Sequence, residues 1–352
     1  MRRTRAALAV ATVIAAAALV VPWPSAVVES TYSSTLYPPW QRVATTATNA
    51  LPFAAFDLVL AAAILGLVGL TIGAWRASGG GRWRRAGAAL LAAFVVVAAT
   101  YLWFLASWGL NYQRTPVDVR VGLDRTRATP ERLTAFALDT VEDLNRLRPI
   151  AHARPWPDRA ALVETLRPAF RATLPRLGVR PDVVPGVPKW SVLQPYLRWA
   201  GIDGVTNPFL PEVVVNDDLL PMEWPFTLAH EWGHLAGLAH EAEASYAGWL
   251  TCQAGTDQTR YSAALWAFGH VFAASPREQQ VLLLSRLGDG PRSDLRAIAL
   301  RTSRRVRVVQ QVSWATYDRY LKSNRVSEGL ASYDRAIVLI LAGLPESRHD
   351  SR

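Results

Sequence analysis

The chain has 352 residues, of which 51% are hydrophobic, and a formal net charge of +10. This length accommodates membrane spans plus one sizeable domain, and the hydrophobic content is high for a soluble protein but modest for an all-membrane one. Several of the arginines that carry the charge flank apolar runs, so we attribute the charge to membrane topology and do not expect nucleic-acid binding. Cys252 is the only cysteine, which excludes an intrachain disulfide and a four-cysteine zinc site.

Three apolar stretches occupy the first third of the chain, and each is about long enough to cross the roughly 30 Å hydrocarbon core of a bilayer as a helix. They predict a membrane domain over residues 1–110, with transmembrane helices at about 6–28, 56–75 and 86–108. The first stretch could instead be a cleaved signal peptide. We favour a retained span, because no convincing small-x-small cleavage site stands out.

The arginines on either side of these stretches predict the orientation. They precede the first stretch and fill the short loop between the second and third: Arg2, Arg3, Arg5, Arg76, Arg82, Arg84 and Arg85. By the positive-inside rule, the amino terminus and this loop are cytoplasmic. We therefore expect a multi-pass protein of the cell membrane in which residues 111–352 form a domain outside the cytoplasm.

Helical patterns dominate residues 111–352. Thr129-Pro130-Glu131 predicts a capped helix start, and Ala336–Leu344 is too short to cross a bilayer and predicts a core helix. Residues 179–211 are rich in proline, glycine and tryptophan and predict irregular connections. The best strand candidate is Glu212–Asn216, which could pair with an extended peptide at its edge.

His230-Glu231-Trp232-Gly233-His234 reads H-E-x-x-H and is the strongest chemical signal in the chain. On a helix, positions i and i+4 share one face, so His230 and His234 can bind one zinc ion. Glu231 can then accept a proton from the attacking water and act as the general base of a hydrolase. The sequence therefore predicts Zn²⁺ as the cofactor.

Catalytic zinc usually has a third protein ligand, and the candidates here are His240, Glu241 and Glu243. One straight helix would place residue 241 about 10 Å along the axis from His234, so the helix must break, and Gly237 is well placed to end it. His230 to His240 matches the metzincin pattern H-E-x-x-H-x-x-G-x-x-H. That pattern requires a methionine downstream, whereas both methionines lie upstream.

The run Glu241-Ala242-Glu243-Ala244-Ser245 is similar to the gluzincin Glu-x-x-Ala-Asp or Glu-x-x-Ala-Asn pattern. The similarity makes Glu241 our predicted third ligand, with His240 and Glu243 kept as alternatives. Ser245 replaces the final Asp or Asn and is shorter, which puts the hydrogen bond made by that position in question. We expect Glu243 to be a solvated charge on the helix face.

Nearly the whole chain resembles a bacterial family of membrane-bound, zincin-like proteins that is carried as a domain of unknown function. The resemblance rests on Trp108-Gly109-Leu110-Asn111-Tyr112, on Asn207-Pro208-Phe209 and on Pro225-Phe226-Thr227 before the H-E-x-x-H motif. It implies three transmembrane helices followed by a gluzincin-like domain, and it implies no substrate. In this family context, Tyr333 is our candidate donor to the reaction's oxyanion.

These observations predict a mainly α fold, with three amino-terminal transmembrane helices and a zincin-like α+β metalloprotease domain containing a small sheet. The predicted function is a membrane-anchored zinc metalloprotease acting on a peptide or protein substrate. The alternatives are a zinc-dependent hydrolase of a non-peptide cell-envelope amide and a catalytically inactive zinc-binding membrane scaffold. An intramembrane protease is disfavoured, because the apolar run Phe226–Ala239 is too short to span a bilayer.

Overall fold

A computed structural model describes residues 22–77, 81–324 and 335–345, together with Val10 and Ile14. The α-helices of these parts are α1 Ser25–Val27, α2 Tyr37–Asn49, α3 Ala55–Ala77, α4 Arg82–Ser107, α5 Val117–Val121, α6 Pro130–Ala151, α7 Arg159–Thr173, α8 Gln194–Ala200, α9 Trp224–Leu235, α10 Glu241–Gln253, α11 Asp257–Ala274, α12 Arg277–Arg286, α13 Asp289–Thr302, α14 Arg307–Ser323 and α15 Arg335–Gly343. A π-helix covers Val28–Leu36, and 3₁₀ helices cover Gly109–Gln113, Arg125–Arg127 and Leu174–Leu177. The strands are β1 Pro188–Lys189, β2 Gly204–Thr206 and β3 Val213–Val215.

Two helices in the described parts of the chain are long and apolar enough to cross a membrane: α3, over Ala55–Gly73, and α4, over Arg82–Ser107. We refer to them as the spanning helices, a name that describes their length and composition. They pack against each other and are almost wholly unburied, so neither is the core helix of a globular body. The sequence predicted three such helices, and most of the first one, at 6–28, lies outside the described residues. Val28, at its predicted end, is buried in the π-helix that leads into α2.

The leading helical segment, residues 25–49, packs on the helical body that follows the spanning helices. Tyr37, Gln41 and Thr45 are spaced by about one helical turn and therefore share a face. Their side chains donate hydrogen bonds of 2.6–2.8 Å to the backbone carbonyls of Leu235, Val184 and Pro211. Contacts of this segment thus cross the predicted domain boundary at residue 110.

Helices α9 and α10 lie at the centre of the body and pack against each other, with α7, α11 and α15 around them. Trp232 is fully buried, and its indole nitrogen donates to the carbonyl of Gly186 over 2.8 Å. The α15 helix is largely buried, which confirms that the apolar run after residue 335 belongs to the core. Thr129 caps α6 by accepting a hydrogen bond from the Arg132 amide, as its sequence predicts.

The sheet has the strand order β1-β3-β2, with β1 parallel and β2 antiparallel to β3. The predicted strand at 212–216 is confirmed as β3, but the prediction that its edge could receive a peptide is wrong. β3 is paired on both sides, so it has no free edge. The irregular connections predicted for 179–211 are also corrected, because this region contains β1, α8 and β2.

Candidate metal centre

A glycine turn separates the two helices that carry the predicted ligands. Gly237 has φ +76°, the left-handed region that glycine adopts without strain. The amides of Gly237 and Leu238 donate to the carbonyls of His234 and Gly233, which closes α9 with a Schellman-type turn. The chain then reverses through extended backbone at His240, and α10 begins at Glu241. The structure thus confirms the predicted helix break at Gly237.

Two glycines allow α9 and α10 to approach closely. A Cβ atom at Gly233 would lie 2.9 Å from Cα of Ala244, and a Cβ at Gly248 would lie 3.0 Å from the backbone nitrogen of His230. Side chains at these positions would push the helices apart. The contact brings the start of α10 against the face of α9 that carries both histidines.

The resulting cluster consists of His230, His234 and Glu241, and one potential ligand atom from each lies within 4.8 Å of the other two. Glu241 Oε2 is 3.2 Å from His230 Nε2 and 3.4 Å from His234 Nε2. Ligand atoms about 2.1 Å from a tetrahedral zinc ion lie about 3.4 Å apart. The spacing therefore fits a divalent metal, and metal binding by these residues stays a prediction.

The outer ring nitrogens of both histidines have partners, which leaves the inner nitrogens aimed at the cluster. His234 Nδ1 lies 2.8 Å from the carbonyl of Leu238, so its proton sits on Nδ1 in the neutral ring. His230 Nδ1 lies 3.1 Å from Ser245 Oγ. Serine at the last position of the Glu-x-x-Ala-Ser run is thus long enough to orient the first histidine.

The cluster couples one buried carboxylate to two imidazoles. Glu241 is buried, and its Oε2 has no well-formed hydrogen bond among the described residues. Burial would raise the pKa of Glu241, but the two imidazoles hold that pKa well below its usual range. Burial would lower the pKa of His234, whereas the Glu241 carboxylate raises it to about 9. A buried carboxylate and two imidazoles form a set of ligands that can bind a divalent cation.

Glu231 lies beside the cluster and is 3% exposed. The hydroxyl of Thr206 donates to Glu231 Oε2 over 2.8 Å and to its backbone carbonyl over 2.9 Å. A Cβ atom at Gly204 would lie 2.6 Å from Glu231 Oε1, so glycine leaves room for the carboxylate. Burial raises the pKa of Glu231, which makes it a better proton acceptor than an exposed glutamate.

The other predicted site residues lie elsewhere. His240 packs edge-on against the ring of Tyr112, and its Nε2 lies 3.3 Å from the carbonyl of that residue. Glu243 is buried and accepts a hydrogen bond from the amide of Val117, so the expectation of a solvated charge is wrong. Tyr333, the predicted oxyanion donor, lies outside the described residues.

Sequence reasoning missed Tyr317, whose hydroxyl donates to Glu241 Oε1. Tyr317 lies on α14, more than seventy residues after the ligand that it contacts, and no local pattern links the two. The result is a carboxylate with one oxygen held by a phenol and the other directed at the histidines. Such contacts to metal ligands fix their orientation.

One edge of β2 pairs with no other strand in the described parts of the chain, and this edge borders the cluster. The amides of Asn207 and Asn216 donate to Glu212 and Asp203, so in this antiparallel pair residues 203, 205 and 207 face β3. The backbone groups of Gly204 and Thr206 therefore point away from β3. Both β2 and β3 contact α9.

Both spanning helices begin or end at this site. The turn between β2 and β3 places the Phe209 ring 5.9 Å from Phe56 on α3 and 6.0 Å from Phe104 on α4. Both carboxylate oxygens of Glu212 accept hydrogen bonds from the first amides of α3, at Ala55 and Phe56. A carboxylate stabilises a helix amino terminus by this contact. The turn between β2 and β3 is therefore attached to the start of α3 and to the end of α4.

Comparison with curated proteins and with solved structures gives no match. One family model matches residues 32–341, which include both spanning helices, the sheet and the histidine cluster. Because the match covers most of the sequence, the chain belongs to the family described as "Protein of unknown function (DUF3810)".

Proposed function

We propose that this chain is a membrane-anchored zinc metalloprotease that hydrolyses peptide bonds in polypeptides at the outer surface of the membrane. The observation that carries the proposal is the convergence of His230, His234 and Glu241, with the buried Glu231 carboxylate beside them. Two histidines and one glutamate form the ligand set of gluzincin-type zinc hydrolases. Zinc bound there would polarise the scissile carbonyl and increase the acidity of a coordinated water.

The chain itself supplies the base and its support. Glu231 accepts the proton of the attacking water on its carboxylate and returns it to the leaving amine. Thr206 holds Oε2 of that carboxylate, and Gly204 leaves space for the rest of it. Tyr317 and Ser245 orient Glu241 and His230.

Substrate binding is assigned to the free edge of β2. An extended peptide can add to the amide and carbonyl groups of Gly204 and Thr206 that point away from β3, which positions its backbone beside Glu231. The arginines around 76–85 support placing this edge outside the cytoplasm. Because the β2–β3 turn contacts both spanning helices, we expect the scissile bond to lie near the bilayer surface.

The test uses the full chain in lipid nanodiscs loaded with zinc. We expect cleavage of unfolded casein by the wild type, no cleavage by Glu231→Gln, and equal zinc content in both. Equal cleavage by both proteins would overturn the protease assignment. Zinc binding without cleavage of casein or of a peptide library would favour a zinc-binding scaffold, and release of amine from envelope fragments alone would favour a non-peptide amide hydrolase.

The ligand assignment is tested by metal analysis of three variants in the same nanodiscs. We expect Glu241→Gln to lose bound zinc, while Glu243→Gln and His240→Gln retain it. Glu243→Gln serves as the matched control, since both glutamates are buried at the start of α10. Retention of zinc by Glu241→Gln would show that another residue is the third ligand.

A further inference from the structure

The chain exposes a set of large apolar side chains on one side of the helical body. They come from the segment before α8, from α8 itself and from α14: Trp190 at 54% exposure, Val192 at 58%, Trp199 at 51%, Val308 at 68% and Val312 at 62%. We call these five residues the α8–α14 surface. Single exposed apolar residues are ordinary, whereas a continuous apolar area marks an interaction surface.

Direct contacts join α8 to α14. The hydroxyl of Tyr196 on α8 donates to Ser313 Oγ on α14 over 3.0 Å. The amide of Val306, just before α14, donates to the carbonyl of Trp199 over 3.0 Å. The exposed Trp199 therefore lies beside the start of α14, the part of that helix that carries Val308 and Val312.

One end of the α8–α14 surface is attached to the first turn of the spanning helix α3. The amide of Ala54 donates to the carbonyl of Trp190 over 2.7 Å. Asp57 accepts hydrogen bonds from the hydroxyl of Ser191 and from the amide of Val192, over 2.8 and 2.9 Å. Trp190 and Val192 are thus held at the level where α3 enters the membrane.

The other end is attached to the spanning helix α4. The ring of Tyr320 on α14 lies 5.9 Å from the ring of Phe104, one turn before α4 ends. Val308 and Val312 are one turn apart and lie on the side of α14 opposite to Tyr317. The α14 helix therefore has one face on the body, and its exposed valines lie on the opposite face.

The composition of this surface matches a membrane interface. Tryptophans and valines are interspersed with arginines at positions 304, 307 and 319, all of them exposed. Tryptophan is enriched at the headgroup level of bilayers, and exposed arginines interact with anionic lipids. The contacts with α3 and α4 hold this surface at a fixed distance from the bilayer. A freely diffusing protein partner would not need its binding surface to be held there.

We propose that the α8–α14 surface lies in the lipid headgroup region of the leaflet at which α3 begins and α4 ends. In this arrangement the bilayer supports α14, the helix whose Tyr317 contacts Glu241. This arrangement does not depend on catalysis, because it concerns only whether the exposed residues contact lipid or water.

The test places a nitroxide spin label at single cysteines in the full chain, reconstituted in nanodiscs with and without anionic lipid. Val192→Cys and Val312→Cys report on the surface. Val97→Cys, exposed in the middle of α4, is the lipid control, and Val281→Cys, exposed on α12, is the water control. Cys252 is buried and its pKa is raised by that burial, so the unmodified chain serves as the labelling blank.

We expect the ratio of oxygen to water-soluble nickel-chelate collisions at positions 192 and 312 to be several-fold higher than at 281 and closer to that at 97. A ratio at both positions equal to that at 281 would overturn the proposal. Spin–spin broadening between labels at 312, without raised oxygen collisions, would also overturn it and would assign the surface to a second copy of the chain. All four positions are exposed, so the substitutions should preserve the fold.

Discussion

The indole nitrogen of Trp108 donates a hydrogen bond to the backbone carbonyl of His234 over 3.0 Å, and the two rings meet edge to face with centroids 6.0 Å apart. Trp108 directly follows the spanning helix α4, and His234 is a proposed zinc ligand. The residue that follows α4 therefore contacts the proposed metal centre. The same carbonyl also accepts the Gly237 amide, so Trp108 supports the turn that ends α9.

We expect Trp108→Phe to weaken zinc binding several-fold and to destabilise the protein by about 1 kcal/mol, the typical net value of one hydrogen bond. The ring remains, but the donor to His234 is lost. Trp103→Phe is the matched control, because it removes a hydrogen bond from an indole nitrogen on α4 to the carbonyl of Phe209. Zinc titration of both variants checks the prediction, and equal affinities would show that Trp108 supports only the fold.

The Tyr317 hydroxyl provides a second test of the ligand geometry. Tyr317→Phe removes the donor to Glu241 Oε1, and loss of such a partner typically costs about 10–100-fold in metal affinity. Tyr196→Phe removes a phenol bond to the same helix at Ser313, away from the cluster. We expect zinc affinity to fall in the first variant only. A similar fall in both would mean that α14 acts through its general packing.

Gly237→Ala tests the turn between the two ligand-bearing helices. The φ of +76° costs a residue with a Cβ about 1–2 kcal/mol, and the new Cβ would lie 3.0 Å from Asn111 Oδ1 and 3.2 Å from a guanidinium nitrogen of Arg114. Gly122 has a similar φ of +68° with nothing near its Cβ. We therefore expect Gly237→Ala to lower the melting temperature more than Gly122→Ala does, and to be the only one of the two that loses zinc.

The sequence predicted the part of the site that follows a local rule. The i, i+4 spacing placed His230 and His234 on one helix face, and the distance to Glu241 required a break that Gly237 provides. Helix caps such as Thr129 can also be predicted from the sequence, because the capping oxygen and the amide that donates to it are only three residues apart.

The rest depends on contacts between distant segments. The edge strand β2 is three residues long and its sequence has no alternating pattern. The sequence therefore predicts its valine-rich neighbour β3 as the substrate-binding edge. The hydrogen-bond partner of the buried Glu243 is the amide of Val117, which is far away in the sequence. The partner of Glu241, Tyr317, lies on a helix more than seventy residues along the chain. No single-sequence pattern contains these partners.

Glu29 links the leading helical segment to the end of α9 and gives a pH-dependent prediction. Its carboxylate pairs with the buried guanidinium of Arg114 and with Arg120, and Arg114 in turn donates to the carbonyl of Gly237. Partial burial would raise the pKa of Glu29, but the two arginines lower it to about 2. A lowered pKa stabilises the folded chain above the ordinary glutamate pKa, and this stabilisation is lost as the pH falls towards 2.

We therefore expect Glu29→Gln to be less stable than the wild type at pH 7, by about 2 kcal/mol for hydrogen bonds to a charged group. The difference in melting temperature should shrink as the pH drops below about 4.5, where the unfolded wild type takes up the same proton. Glu164→Gln, which breaks an exposed pair with Arg167, is the control and should change little at any pH. A difference that stays constant down to pH 3 would show that the Glu29 charge is not the cause.

The position of the β2 edge predicts how cleavage depends on distance from the bilayer. Phe209, three residues after the end of β2, packs on Phe56 and Phe104 at the ends of the spanning helices, so we expect a substrate on Gly204 and Thr206 to lie close to the membrane surface. A peptide anchored in the same nanodisc has a high effective concentration there, which falls as its linker lengthens. We expect tethered peptides with short linkers to be cleaved faster than the same peptide free in solution, with the rate falling as Gly-Ser linkers are extended.

The Glu231→Gln protein supplies the background rate. Equal rates for free and tethered peptide would contradict a membrane-proximal edge and leave the zinc chemistry untouched, whereas no cleavage of either would count against the protease itself.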